Sequence, residues 1–474
     1  MPPMSVNPSA PASEPLPTGW RVPASLLALA LPIIASMCSR TAMNFVDFVM
    51  VSQLGTQAQA AILPAGILLF CVFGFGMGVL TAVNTFVSQA LGRRDYGACG
   101  AFAWQGVHLS LAIALVVLPL WPLVPPFFAW VGHEPRVQAM EAAYVQIGLL
   151  SAAPTLASVA LTNFFNGVHR PAVGLWSMIL ANLFNIAGNY VLIFGKLGAP
   201  AMGVAGAAWA TLLASLLQAL ILLGWMLRPA MAQAFHTCRA WRLDAARFLA
   251  ILRVGLPAGF QSVTDIVSFT IFTLLLVGRF STEQLAANNI VFKLLEVSFM
   301  PAVGLGTALT AAVGKAVGYG RPDYARLLTR WAAGFCVLYM GLIGTIYLLG
   351  RGELAALFND DPEVIAWTSR LLICCAVFQV FDALGITHIS ALRGVGDNRW
   401  PAMLSLTLAP TLFLGGGYLM AVMLPQWGAV GPWIAATLYI SIIGLSMWAR
   451  WCWGPWERID LFASPLAAPA AATA

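Results

Sequence analysis

Acidic side chains lie inside long apolar stretches of this sequence. The first, Asp47, falls within residues 24–51, together with Arg40 and Asn44. A run of that length can cross a bilayer, which takes about 20 apolar residues at 1.5 Å rise each. Because a carboxylate at the bilayer centre costs about 2.5 to 3.5 kcal/mol, such residues turn toward a bundle interior or a water-filled cavity. Asp47 is therefore the first candidate for a binding site.

The polar residues of this stretch share one helix face. At 100° per residue, Ser36, Arg40, Asn44 and Asp47 fall on a single stripe. We expect Asp47, Asn44 and Arg40 to bind a substrate or a proton. The alternative is that Arg40 and Asp47, two turns apart, hold helices together through neighbouring chains.

Two further acids occupy polar faces of later apolar stretches. Asp265 shares its face with Gln261 and Ser268, and Asp382 shares its face with Gln379. Oxygen-rich faces of this kind suit a small hard cation or a proton relay. The pattern predicts a site for a cation or a proton, with Na⁺ at Asp265 and Asp382 as one form of it. For each serine and glutamine, hydrogen bonding between helices is the competing interpretation.

Amides and one charge pair complete the set of candidates. Asn182, Asn185 and Asn189 lie on one stripe and either line a cavity or cross-link helices, where each bond is worth about 0.6 kcal/mol. Lys293 and Glu296 are three residues apart, a spacing at which they can pair. Either the two charges neutralise each other, or Glu296 contributes to the cation site.

Composition defines the class of protein. Of 474 residues, 60% are hydrophobic and 9% are charged, with mean hydropathy +0.83, which indicates a polytopic membrane protein. The net charge of +6 is spread over short loops, so a nucleic-acid partner is not expected. The five histidines are scattered and HExxH, GxSxG and P-loop motifs are missing from the sequence, so neither an enzyme nor a cofactor is expected.

Twelve apolar blocks predict twelve spanning helices. We divide the chain into a disordered tail 1–23, an amino-terminal lobe 24–227, a connector 228–248, a carboxy-terminal lobe 249–452 and a tail 453–474. The predicted spans are 24–51, 58–90, 98–121, 138–167, 172–195, 203–227, 249–278, 284–316, 324–350, 364–394, 399–423 and 428–452.

The two halves are copies of each other. Gly92 returns as Gly318 and Gly167 as Gly394, at offsets of 226 and 227 residues. An even number of helices per half makes the repeat parallel, an arrangement in which substrates bind between halves that rock for alternating access. The acids break the symmetry, since Asp47 shifted by 226 falls on Thr273.

Arginine and lysine cluster in loops on one side of the predicted spans. They include Arg93, Arg94, Arg170, Arg393 and the connector arginines, whereas the loop 350–363 on the other side is acidic. The positive-inside rule then places both termini in the cytoplasm. The sequence predicts a multi-pass protein of the bacterial inner (plasma) membrane, in contact with membrane lipid.

Several motifs resemble the multidrug and toxic compound extrusion (MATE) transporters, in particular their NorM-like branch. They run from about residue 26 to 450 and are Leu29-Ala-Leu-Pro32, Phe45-Val-Asp-Phe-Val-Met-Val51, Asn182-Leu-Phe-Asn-Ile-Ala-Gly-Asn-Tyr190, Gly255-Leu-Pro257, and Phe381-Asp382-Ala with Ala391-Leu-Arg-Gly394. The resemblance implies two six-helix lobes, a V shape and exchange of a cytoplasmic drug for external Na⁺ or H⁺. It also implies functional acids at Asp47, Asp265 and Asp382.

Two positions depart from that resemblance. Asp265 stands where the NorM-like branch commonly carries glutamate, and Asn189 stands where the DinF-like branch has an Asp-Pro pair. Both departures leave the coupling ion open between Na⁺ and H⁺.

On these grounds we expect a monomeric secondary antiporter that exports amphipathic, cationic drugs. A flippase for lipid-linked oligosaccharides would share the two-lobe architecture but would need several cations in its cavity to bind pyrophosphate. Once the cations at the loops and span ends are set aside, only Arg40, Lys293 and Arg370 lie within the predicted spans. A channel would need a selectivity element, which the two-fold repeat does not favour.

Overall fold

The structure, a computed structural model, describes residues 17–463, apart from the side chain of Leu63. The outer parts of both predicted tails, 1–16 and 464–474, lie outside the described residues. Within 17–463 every regular element is a helix, so the predicted all-α fold class is confirmed. The first helix begins at Arg21, slightly before the predicted boundary.

The first half of the chain forms eight helices, and a short ninth lies in the connector. Their bounds are α1 (Arg21–Ser52), α2 (Thr56–Gly92), α3 (Tyr96–Val117), α4 (Val124–Val131), α5 (Pro135–Leu150), α6 (Ala152–Gly167), α7 (Pro171–Phe194), α8 (Gly203–Met226) and α9 (Pro229–Phe235).

The second half forms eight more. They are α10 (Ala245–Ile271), α11 (Thr282–Gly318), α12 (Pro322–Leu349), α13 (Arg351–Ala356), α14 (Pro362–Val395), α15 (Arg399–Leu408), α16 (Gly417–Met423) and α17 (Val430–Trp453). Wide π-helical turns follow α10 at Phe272–Val277 and join α15 to α16 at Ala409–Gly416, where Pro410 cannot donate a backbone hydrogen bond.

Eleven helical segments of the described chain are long and apolar enough to cross a membrane. The bent pair α5 and α6, which meet at 49°, makes a twelfth. The structure thus agrees with the twelve spans predicted from the sequence.

The same helix pairings recur in both halves. In the first, α2 packs against α5 and α6, and α7 packs against α8. In the second, α11 packs against α14, and the segment from α15 to α16 packs against α17. Each half therefore forms a lobe of six spans, as the repeat predicts.

The lobes meet through repeat-related glycines at the end of the bundle that carries the connector, here called the connector end. A Cβ atom on Gly92 would lie 2.8 Å from the Cα of Gly318, and a Cβ on Gly318 would lie 2.9 Å from the Cα of Gly92. Side chains cannot be accommodated at either position. The reciprocal contact places the pseudo-two-fold axis between α2 and α11.

Hydrogen bonds between the lobes also gather near the connector end. Thr85 donates to the carbonyl of Arg393 at 2.8 Å, Gln89 donates to the carbonyl of Gly394 at 2.9 Å, and Asn84 donates to the carbonyl of Thr307 at 3.4 Å. Within residues 17–463, no such bond joins the second lobe to the halves of α1 and α2 that are distant from the connector. The hydrogen bonds that join the lobes thus lie near one end of the bundle, and the opposite end is here called the far end.

Residues 454–463 form a strap that returns from the second lobe to the first at the connector end. Trp456 is buried and stacks on Trp451 with ring centroids 4.2 Å apart. Phe462 then packs edge-on against Phe86 and Phe102 in the core of the first lobe. The strap therefore bridges the two lobes.

Candidate functional site

Asp47 lies in the half of α1 near the far end, where it contacts α7. Asn189 donates to Asp47 Oδ1 at 2.6 Å and to Asn185 Oδ1 at 2.8 Å, and Asn185 donates to Thr211 Oγ1 at 3.3 Å. Tyr144 of α5 is a further electrostatic neighbour of the carboxylate. The structure thus brings Asp47, Asn185 and Asn189 together in what we call the Asp47 group.

The hydrogen bonding of the Asp47 group is incomplete. Asn189 is fully buried, and its Oδ1 atom has no partner among the described residues. An oxygen acceptor of this kind would be satisfied by a protonated carboxyl at Asp47 or by a bound cation. The arrangement is therefore suited to an exchangeable proton or cation.

Asn182 belongs to a separate contact. Its amide donates to the carbonyl and to the hydroxyl of Ser39 at 3.1 and 2.7 Å, which ties α7 to α1. All three asparagines thus form bonds between helices, the alternative that the sequence offered, and Asn182 does so away from Asp47.

Arg40 and Asn44 lie on the same helix as Asp47, and both are exposed. They follow buried residues of the same stripe that pack into the core of the second lobe, among them Leu26 and Ile33. The structure contains no Arg40–Asp47 ion pair within residues 17–463. Arg40 and Asn44 lie beyond that packed contact, toward the far end, where we call the space between the lobes the cleft.

Asp265 lies in the second lobe beside a positive charge. Arg393 of α14 and the hydroxyl of Tyr439 on α17 are its electrostatic and hydrogen-bonding neighbours. Arg393 also donates to Gln261 at 3.2 Å, and Gln261 donates to Ser405 at 3.2 Å. Ser268, two turns from Gln261 on α10, is buried.

Asp382 has different surroundings. It is partly buried in α14, and Cys336 of α12 is its electrostatic neighbour. Gln379, one turn earlier, donates to Ser298 at 3.0 Å and so joins α14 to α11. Asp265 and Asp382 thus occupy distinct environments, because their neighbouring groups differ.

Lys293 and Glu296 form the ion pair that their spacing suggests, at 3.3 Å. The lysine side chain is 74% exposed and the glutamate 29% exposed. The pair is therefore not enclosed in the bundle, and its charges are only weakly coupled.

The MatE family model matches this chain twice, at residues 32–191 and 257–418. The chain belongs to the MATE family. One matched stretch falls in each lobe, as the internal repeat requires, and the family resemblance inferred from the motifs is confirmed.

Relatives extend over almost the whole chain. The probable multidrug resistance protein NorM of Rhizobium meliloti is 30% identical over 466 residues, which cover 96% of each chain. The multidrug resistance protein PmpM of Pseudomonas aeruginosa is 31% identical over 405 residues, which cover 84% of this chain and 83% of the relative. These similarities support a MATE multidrug efflux transporter of the NorM-like type rather than an enzyme.

Solved MATE structures share the fold. One described as an outward-facing conformation of a multidrug resistance MATE family transporter superposes with a TM-score of 0.82 at 20% identity, covering 93% of this chain and 96% of that one. A transporter of the MOP superfamily from Pyrococcus furiosus superposes with a TM-score of 0.81, with the same identity and coverage.

Sequence reasoning missed several neighbours of the acids in this MATE protein. Thr211 and Tyr144 near Asp47, and Tyr439 near Asp265, come from helices remote in the chain. Arg393 was counted among the loop cations, although it lies in α14 and faces Asp265. The Ala391-Leu-Arg-Gly394 motif, whose glycine repeats Gly167, was the one signal for it.

Proposed function

We propose that this MATE protein is a secondary antiporter that exports amphipathic, cationic compounds in exchange for inward Na⁺ or H⁺. The observation that carries the proposal is a pair of lobes whose mutual hydrogen bonds lie near the connector end and which both carry acids within their spans. With the termini and the connector in the cytoplasm of a bacterial cell, the cleft opens to the outside. Alternating access then requires the lobes to part at the connector end and close at the far end.

The Asp47 group supplies the site for a proton or for the charge of the drug in the first lobe. Its orphaned Asn189 oxygen supports that role, because an empty acceptor beside a carboxylate favours an incoming proton or cation. A cationic drug and a proton would compete for the same carboxylate, so that binding of one releases the other.

The coupling cation is assigned to the acids of the second lobe, and Asp382 is the better candidate there. Asp265 is already balanced by Arg393, so a Na⁺ ion at Asp265 would meet a neighbouring positive charge. Asp382 has no such cation among its described neighbours. Inward movement of one cation through about 100 mV gains about 2.3 kcal/mol, enough to drive substantial export.

Transport by purified protein in liposomes tests the proposal. A fluorescent monocationic dye is loaded, and Na⁺ and pH gradients are imposed separately. We expect dye movement with one of these gradients and little movement without either. Asp382→Asn should remove the coupling to the gradient, while Asp360→Asn, an exposed acid in the loop before α14, should behave as the wild type.

A flippase would give a different result in the same liposomes. It would move labelled lipid between the leaflets and leave the dye gradient unaltered. Dye movement that ignores both gradients would contradict antiport.

A further inference from the structure

The connector between the lobes folds back onto α3 as a fixed loop, residues 236–244. Trp104 of α3 donates to the carbonyl of Thr237 at 2.7 Å. Gln105, the next residue of α3, donates to the carbonyl of Arg242 at 3.0 Å and accepts from the backbone N–H of Asp244 at 3.1 Å. The side chains of this loop therefore project from a backbone that is held in one position.

An open cavity of about 380 Å³ lies between this loop and the start of α3. That volume falls within the range of about 300 to 1,000 Å³ that is usual for small-molecule sites. Its lining includes three arginines, Arg239, Arg242 and Arg247, together with His236. Because guanidinium groups bind phosphate oxygens through paired hydrogen bonds, a lining of this kind suits a phosphate group.

Two acids also border the cavity, but both are engaged at the start of a helix. Asp95 accepts from a backbone N–H of α3 at 2.9 Å. Asp244 accepts from the N–H of Arg247 at 3.1 Å and pairs with the guanidinium of the same residue at 2.9 Å. In the described part of the chain, the side chains of Arg239 and Arg242 make no hydrogen bond, ion pair or ring contact. Two guanidinium groups therefore remain for an anion.

The loop lies next to a spanning segment that is longer than the hydrocarbon core. Residues Ala245–Val277 form a helical segment of 33 residues, about 50 Å long at 1.5 Å per residue. The hydrocarbon core is about 30 Å thick, so the ends of this segment reach the headgroup layers. Trp241 and Leu243, just before it, are 59% and 65% exposed. An exposed tryptophan at the end of a span is typical of the membrane interface, which places the cavity among the headgroups.

We propose that this cavity binds the phosphate of an anionic phospholipid from the leaflet at the connector end. Arg239 and Arg242 bind the phosphate oxygens, while Trp241 and Leu243 pack against the glycerol backbone and the upper part of the acyl chains. A soluble phosphate ester would share the first contact but not the second. The site lies outside the cleft, so it is a lipid site in addition to the proposed export function.

Native mass spectrometry of the detergent-solubilised protein measures the binding of single lipids. Phosphatidylglycerol is the probe, and phosphatidylcholine with the same acyl chains is the zwitterionic control. We expect the wild type to bind phosphatidylglycerol more tightly than phosphatidylcholine. In Arg239→Gln/Arg242→Gln the affinity for the first phosphatidylglycerol should fall about tenfold or more, because charge-assisted hydrogen bonds are lost. Unchanged binding of phosphatidylcholine would show that this variant keeps its fold.

The double variant Arg330→Gln/Arg399→Gln is the matched control for charge. Both arginines are exposed, lie near the connector end of the second lobe and do not line the cavity. Their loss changes the net charge by the same amount, yet phosphatidylglycerol binding should stay at the wild-type level. Equal losses in the two double variants would indicate general charge attraction and would overturn the assignment. Wild-type phosphatidylglycerol binding by Arg239→Gln/Arg242→Gln would also overturn it.

A second set of measurements separates a lipid from a free phosphate. Trp241→Ser/Leu243→Ser removes the proposed apolar contact, so it should weaken phosphatidylglycerol binding several-fold. Glycerol 1-phosphate, the soluble analogue, should raise the melting temperature of the wild type less than phosphatidylglycerol does at the same concentration. If glycerol 1-phosphate stabilises the protein as strongly as the lipid, and Trp241→Ser/Leu243→Ser binds phosphatidylglycerol as the wild type does, the lipid assignment is rejected in favour of a soluble phosphate.

Discussion

Arg93 and Asp460 form an ion pair of 2.5 Å that joins segments 367 residues apart in the chain. The guanidinium also lies 4.5 Å from the ring centroid of Phe462. This cluster fastens the carboxy-terminal strap to the first lobe, at the end where the proposed alternating access requires the lobes to part.

We expect the packing of Phe462 to contribute more to stability than the ion pair of Arg93 and Asp460. Both charged side chains are more than a third exposed, and such pairs contribute about 0 to 1 kcal/mol. Phe462→Ala removes ring contacts in the core of the first lobe and should cost about 1 to 3 kcal/mol. The melting temperature of the purified protein in detergent should therefore fall more for Phe462→Ala than for Arg93→Ala. Arg136→Ala, an exposed arginine at the far end, is the matched control. If Phe462→Ala and the wild type have the same melting temperature, the strap is not held by this packing.

Asp47→Asn tests the division of work between the lobes. The amide keeps the shape of the side chain but loses the charge that Asn189 contacts at 2.6 Å. Export of monocationic dyes should fall about tenfold or more, whereas Na⁺-dependent changes in tryptophan fluorescence from the second lobe should persist. Asn182→Ala, which breaks only the contact with Ser39, should affect dye export less. Loss of the ion response in Asp47→Asn would place all three acids in one coupled site.

Asp265 and Arg393 should behave as a pair. Asp265→Asn leaves a partly buried guanidinium, whose Nε atom already lacks a partner, without its counter-charge. We expect this variant to lose about 1 to 3 kcal/mol of stability and the double variant Asp265→Asn/Arg393→Gln to recover most of it. Asp382→Asn leaves no cation without its counter-charge, so its melting temperature should be close to that of the wild type. Additive losses in the double variant would show that the two groups act independently.

His169 gives the contact between the lobes a pH dependence. It lies in the loop between α6 and α7, where Nε2 is 3.3 Å from the carbonyl of Ala311 in the second lobe. Burial and the nearby Lys315 lower its pKa to about 4. Between about pH 6.5 and pH 4 the unfolded chain binds more protons at this residue, so its contribution to stability is complete above pH 6.5 and falls as the pH falls.

The difference in melting temperature between pH 7.5 and pH 5 should therefore be smaller in His169→Gln than in the wild type. The exposed His236 provides the control, since His236→Gln should keep the wild-type difference. An unaltered difference in His169→Gln would assign the pH dependence to other groups.

The sequence was informative where periodicity along one helix decides the structure. Apolar blocks predicted the spans, and the 226-residue repeat predicted two equivalent halves, because both signals can be found within one sequence. The contact between Gly92 and Gly318 was found only in the structure. The stripe on α1 placed Arg40, Asn44 and Asp47 on one face, but it could not show that this face is packed against the second lobe at Leu26 and Ile33 and exposed at Arg40.

Contacts between distant helices lay beyond that reasoning. Tyr144 reaches Asp47 from α5, and Arg393 reaches Asp265 from the end of α14. Periodicity assigns each residue a direction on its own helix, but the neighbour it meets depends on how separate helices cross. Arg393 was grouped with the loop cations because only its distance from the end of an apolar block was considered.

The reciprocal contact of Gly92 and Gly318 has the form of an isologous interface in a homodimer, in which residue i meets j and j meets i. In a dimer of identical six-helix chains, every charge in the cleft would appear on both walls. The single chain is free of that constraint: the positions related to Arg40 and Asp47 by the repeat are Ile266 and Thr273, and the position related to Asp265 is Ser39. A single chain that holds both copies thus keeps a symmetric contact at one end while its two walls carry different chemistry.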